Sequence, residues 1–180
     1  MAFVGALRTF GAPVPLTWVL GSLHTPDIAD RKAAKMELTE CINEAWCWTG
    51  IEPSEVVGEN AFGNLMVLDT SGQYWRLCPE DLSCQVVARD RSELDLLSKD
   101  QAFLHDWYMT ALVEQAEELL GPLSVGRKYC LCIPGPLGGE YGGENLSTLT
   151  LNELVLASGH IAEQIKGLPD GARIQLKITD

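Results

Sequence analysis

Six cysteines, three histidines and a glycine-rich run are the residues of this chain that could do chemistry. The cysteines are Cys41, Cys47, Cys78, Cys84, Cys130 and Cys132, and no Cys-x-x-Cys pair occurs among them. Cys130 and Cys132 stand two apart in an apolar run, so on a strand they share a face. With His24, His105 and His160 scattered along the chain, the ligand spacing of a zinc site is missing, and no metal is expected. The cysteines read as reduced and mostly buried, although Cys78 and Cys84 flank a turn and could pair if oxidised. His105 and Asp106 are neighbours in a helical pattern. They diverge by about 100° and cannot act together. Ser158-Gly159-His160 lacks the Gly-x-Ser-x-Gly elbow of a serine hydrolase. No catalytic residue emerges, and an enzyme using Cys or His chemistry is the outlying reading.

The glycine-rich run, Pro134 to Asn145, contains Gly135, Gly138, Gly139, Gly142 and Gly143. A phosphate cradle would need a Lys-Ser/Thr pair or a Gly-x-Gly-x-x-Gly spacing, and neither is present. Glu140 and Glu144 would also repel phosphate. No nucleotide or other cofactor is expected. The run reads either as a loop that uses positive φ angles to join two strands or as a recognition loop presenting Leu137, Glu140, Tyr141 and Glu144. From Ser92 to Gly126 the one Lys or Arg is Lys99, against Glu93, Asp95, Asp100, Asp106, Glu114, Glu117 and Glu118. This is a solvated helical surface or a negative face that docks onto a basic cleft. Glu114, Glu117 and Glu118 are the candidates for such contact. Trp18, Trp46, Trp48, Trp75 and Trp107 read as packing residues.

The whole composition narrows the partners. The chain has 180 residues, 13 Lys+Arg against 25 Asp+Glu, a formal net charge of -12 and a pI of about 4.6. Nucleic-acid affinity rests on clustered cations, so nucleic acid is a poor partner. An anionic membrane surface repels such a chain too, whereas a basic protein is steered towards it. No apolar stretch approaches the roughly 18 residues of a membrane span. The N-terminus, interrupted by Arg8, reads as a mature start, which makes the cytoplasm the expected location.

The elements that must position these residues follow from period and punctuation. Thr25-Pro26-Asp27 opens a helix over Ile28 to Trp48 that Gly50 closes. Glu55 to Gly58 is a possible short strand. Leu65 to Leu68, Gln73 to Cys78 and Cys84 to Ala88 are strands joined by tight turns, an antiparallel meander. Ser92-Glu-Leu-Asp opens a short helix as a capping-box-like start, and a second helix runs from about Gln101 to Leu120. A strand at Lys128 to Ile133 precedes the loop. Extended chain over Asn145 to Thr150, a helix from Leu151 to about Lys166 and a strand at Arg173 to Ile178 complete the series. The expected class is α+β, an antiparallel sheet of meander plus C-terminal strands with helices packed on it. Residues 1–50 form an N-terminal arm and helix, residues 51–180 the main domain, the two packed as one compact unit.

Several of these segments together resemble a known family. They are Ala-Phe-Gly-Asn-Leu at 61–65, the aromatic strand at Gln73-Tyr-Trp, the leucine-rich helix pair and Leu-Gly-Pro-Leu at 120–123. Pro-Leu-Gly-Gly-Glu-Tyr at 136–141 with Glu-Asn-Leu after it, and Gln-Ile-Lys-Gly-Leu-Pro-Asp-Gly from 164, complete the set. Over residues 50–177 the chain resembles the C-terminal domain of type VI secretion immunity proteins, the family with the GAD-like module that protects bacteria against their own DNase effectors. The resemblance implies a non-catalytic antitoxin that binds a cognate effector toxin, a nuclease among the candidates, and blocks its active site or substrate access. An adaptor or scaffold of the secretion apparatus is the alternative.

Overall fold

A computed structural model describes residues 28–169 and 171–172, with residues 28–36 through their backbone alone. The opening Thr25-Pro26-Asp27, the strand expected at Arg173 to Ile178, Trp18 and His24 lie outside the described residues. Helix α1 (Ile28–Trp46) passes through a 3₁₀ turn at Cys47–Thr49 and stops at Gly50, whose φ of 92° is left-handed and favours a residue without a Cβ. Four strands follow: β1 (Pro53–Glu59), β2 (Leu65–Asp69), β3 (Tyr74–Cys78) and β4 (Ser83–Ala88). They pair antiparallel in chain order, the expected meander with the short segment around Glu55 as its first strand.

Both faces of this sheet are covered. Leu65, Val67 and Leu77 point to one side, where Ile42, Ala45 and Trp46 of α1 and Val155 and Ala162 of helix α5 (Leu151–Ile165) meet them. Met66 and Tyr74 point to the other, under Leu94 of α2 (Arg91–Leu97) and Phe103 and Trp107 of α3 (Gln101–Tyr108). Double coverage explains why β2 reads Leu-Met-Val-Leu without alternation: neither face sees water. A third apolar cluster joins Phe62, Tyr129, Leu131 and Leu146 to Ala116 of α4 (Thr110–Leu120). It holds a separate two-stranded ribbon, β5 (Arg127–Leu131) with β6 (Leu146–Thr150). The class is α+β as expected, but these C-terminal strands form their own ribbon rather than extending the meander. A Tyr129 N–H bond to the Ala61 carbonyl, 2.9 Å, ties the ribbon to the rest.

Three boundaries differ from the sequence expectation. The helix expected over Gln101 to Leu120 breaks at Met109, which sits in the left-handed region at φ 47° and ψ 38°. The cause is distant: Asn60 Nδ2 donates to the Trp107 carbonyl at 2.7 Å, supplying from outside the bond a continuing helix would make there. Apolar residues keep helical spacing across the break, so the pattern does not betray it. Helix α2 is capped by Asp90, which accepts from Glu93 N–H at 3.0 Å, not by Ser92. Strand β5 ends at Leu131, which leaves Cys132 off the strand and exposed while Cys130 is buried, so the two do not share a strand face. Helix α5 starts where expected, on a Thr150–Glu153 capping box.

Candidate functional site

The candidate site is a surface assembled by α3, α4 and the loop from Pro134 to Asn145, and beneath it lies a polar hub that sets their positions. Asn64, fully buried, donates through Nδ2 to both carboxylate oxygens of buried Glu80, at 2.7 and 2.8 Å. Asn64 Oδ1 accepts from Arg76 Nε and Nη2 at 3.1 and 2.8 Å. Arg76 reaches on to Asp106 of α3, its guanidinium over the rings of Phe103 and Trp107 at 5.9 and 5.7 Å. Asn60 Oδ1 accepts the N–H groups of Phe62 and Asn64, both at 2.9 Å, closing the tight turn of residues 60–64. Burial pushes the Glu80 carboxyl above its ordinary range, against the Asn64 bonds that lower it. The turn packs closely, since a Cβ on Gly63 would stand 2.7 Å from Leu154 Cδ2.

The glycine-rich loop is held from below. Asn145 donates through Nδ2 to the carbonyls of Ile133 and Glu140, at 2.9 and 2.8 Å, and accepts the Ile133 N–H at 2.8 Å. Gly139 is required by contact, because its Cβ would lie 1.7 Å from the Ile133 carbonyl oxygen. Of the loop residues singled out by sequence, Leu137 packs against the main core. Glu140 and Glu144 are exposed. Tyr141 is 48% exposed, and its hydroxyl donates to Asp81 in the β3–β4 turn. Partial burial, with Asp81 beside it, drives the Tyr141 hydroxyl pKa up.

Glu114, Glu117 and Glu118 are all exposed on α4. The other acids of the run are differently placed. Glu93 pairs with Arg89, Asp95 with Arg91 and Asp106 with Arg76, and Asp100 caps α3 by accepting from Phe103 N–H. The three α4 glutamates form no ion pair among the described residues. The loop and α4 also come together, although sequence treats them separately. Tyr141 and Gln115 line one groove with Met109 and Leu112, and a Cβ on Gly142 would touch the Gln115 side chain at 2.4 Å. Tyr108, which helical spacing places on the apolar face of the helix expected over Gln101 to Leu120, is instead 48% exposed at the end of α3, beside the break at Met109.

Among the described residues the cysteines and histidines do not converge. In the β3–β4 register Leu77 faces Cys84 and Cys78 faces Ser83, so Cys78 and Cys84 project to opposite sides of the sheet and are not a pair. His105 and His160 are exposed. Cys47 and Cys132 are exposed, whereas burial pushes the Cys78 thiol up, Cys84 to about 12 and Cys130 to about 11. Thiolate is the reactive form. A disulfide reagent at pH 8 should therefore label two thiols rapidly in the native protein and all six in urea. Rapid native labelling of Cys78, Cys84 or Cys130 would contradict this packing.

Residues 88–162 match the model of the family described as T6SS immunity protein Tdi1, C-terminal. The match covers less than half of the chain, and over that segment the protein is similar to this type VI secretion immunity family. The Tdi1 C-terminal match starts at the end of β4 and finishes inside α5, so it takes in α2 to α4, the ribbon and the whole loop. All seven surface residues singled out by sequence fall within it. The solved structure of Atu4351 from Agrobacterium tumefaciens is similar over 70% of this chain, at 14% identity and a TM-score of 0.49. The similar region spans 64% of that protein, less than two thirds of its length. No curated protein matches the chain. No helix among the described residues is long and apolar enough to cross a membrane.

Proposed function

We propose that the protein is a cytoplasmic immunity protein that binds a cognate type VI secretion effector and neutralises it without catalysis, by covering its active site or its access to substrate. The observation that carries this reading is the Tdi1 C-terminal match, which takes in α4 and the loop. The charge of the chain adds to it. A net charge of -12 suits competition with DNA for a basic groove, so a nuclease is the favoured effector class. In this reading helix α1 belongs to the same unit as the sheet and α5, because Ile42, Ala45 and Trp46 share one core with Val155.

The test is protection. Cells expressing a candidate toxin domain from a neighbouring gene should grow when this protein is co-expressed and die without it. Equal killing in both cultures would overturn the reading. The purified pair should also associate more slowly as salt rises from 50 to 500 mM, since exposed charges are screened beyond about 8 Å at physiological ionic strength.

A further inference from the structure

The ridge of α4 is built at a cost to the fold. Glu117 and Glu118 lie in its last turn, where the helix dipole presents its negative end, and Glu114 stands one turn before them. They are also spaced at i,i+3 and i,i+4, so they repel one another. No cation among the described residues pairs with them. Exposed Leu119 and Leu120 continue the ridge, 56% and 44% open to solvent.

A groove runs along each side of the ridge. On one side Met109 and Leu112 form an apolar floor, with Tyr141 as the wall and Gln115 and Asp106 at the rim. Glu118, three residues beyond Gln115 and seven beyond Ala111, continues the same helix face. On the other side Ala61, Trp107 and Val113 line the groove, Tyr108 is exposed beside them, Glu114 stands at the rim, and Lys128 also lines it, its charge met by Glu59 at 3.1 Å. Each groove thus offers an apolar bed, a tyrosine and a carboxylate at its edge, although Asp106 in the first is already paired with Arg76.

We infer that this ridge and its two grooves are the docking face for a basic protein segment of the effector, with lysine or arginine side chains lying in the grooves. The inference rests on the immunity reading and adds where the effector docks and what chemistry it brings. Long basic side chains lay their methylene stems on apolar surface while the head group seeks charge. Tyrosine faces attract such cations, and tyrosine is a favoured anchor at interfaces. A second copy of this chain does not fit, since the same face would set three glutamates against three glutamates. Nucleic acid is repelled by the same charges.

The experiment uses the full-length protein and an inactive form of that candidate toxin domain from a neighbouring gene, measured by surface binding kinetics. The triple variant Glu114→Lys, Glu117→Lys, Glu118→Lys should associate about tenfold more slowly at low salt and lose most of its salt dependence. Its thermal midpoint should stay level or rise, because lysine suits the C-terminal end of a helix. Ala111→Trp, on the exposed face of α4, should fill the Tyr141 groove and raise Kd about tenfold. Tyr108→Ala and Tyr141→Ala should each raise Kd about thirtyfold, while Tyr141→Phe, which keeps the ring and loses the Asp81 bond, should bind within threefold of the natural protein. If the natural protein binds and all four disruptive variants keep its Kd within twofold, the docking face is elsewhere and the immunity reading survives. If the natural protein neither binds nor protects, both fall.

Discussion

Exchanging Asn64 for leucine should lower the stability of the fold by about 3–5 kcal/mol, the range for a buried polar network that loses one member. Leucine nearly matches the shape but offers neither donor nor acceptor. Glu80 then loses both Asn64 bonds while remaining 5% exposed. Arg76 loses its two bonds to Asn64 Oδ1 and keeps Asp106 and the aromatic rings. The loss should carry a pH signature. The folded Glu80 carboxyl already titrates above its ordinary value because of burial, and removing Asn64 moves it further up. Between the unfolded and folded values the native state holds the extra proton, so stability falls as pH rises through that window. The variant should therefore recover part of its loss on acidification from neutral towards the ordinary carboxylate range. Adding Glu80→Gln should abolish that recovery. Urea unfolding of the two variants against pH measures it. A loss below about 1 kcal/mol, or a variant whose stability rises with pH across this window, would show that the hub does not hold the turn of residues 60–64.

Gly159→Ala should be the most damaging single methyl in the described helices. By helix propensity alone the change should stabilise by about 1 kcal/mol. Packing reverses the sign. The added Cβ would stand 2.6 Å from Ala45 Cβ and 2.7 Å from both the Ala45 carbonyl oxygen and Trp46 Nε1. Two of these are backbone-fixed or nearly so, and the third belongs to the indole that donates to the Val155 carbonyl at 3.0 Å. Helices α1 and α5 must separate, which stretches that bond and opens the core around Trp46, a side chain with no solvent exposure. Overpacking of this kind costs about 1–3 kcal/mol, and the broken buried bond adds about 1 kcal/mol or more. Thermal unfolding monitored by tryptophan fluorescence should show a midpoint lower by several degrees. An unchanged or raised midpoint would mean that α1 does not seat closely on α5.

Much of the local structure was legible because its causes are local. Gly50 ends α1, Thr150 and Glu153 start α5, and tight turns join the four strands, each set by residues within a few positions of one another. The acidic character of α4 could also be read directly. What local reading missed has causes remote in sequence. Asn60 breaks the long helix 47 residues downstream by taking the Trp107 carbonyl. Tyr108, beside that break, is 48% exposed. Asp106, legible only as one acid of a helical run, is paired with Arg76, 30 residues earlier. Glu93 and Asp95, part of the acidic run from Ser92, pair with Arg89 and Arg91, which lie just before that run.

By itself, then, the sequence determined the class of the fold, most of its elements, the sign of its surface charge and the family that its central motifs resemble. These follow from periodicity, turn chemistry and composition, which act over a few residues or over the chain as a whole. The tertiary structure alone decided which acids stay uncompensated, that Tyr141 and α4 share a groove, and that Gly159 tolerates no side chain. Those depend on which atoms meet across the core, and a hydrogen bond or a 2.6 Å contact between distant segments leaves no periodic trace in either of them.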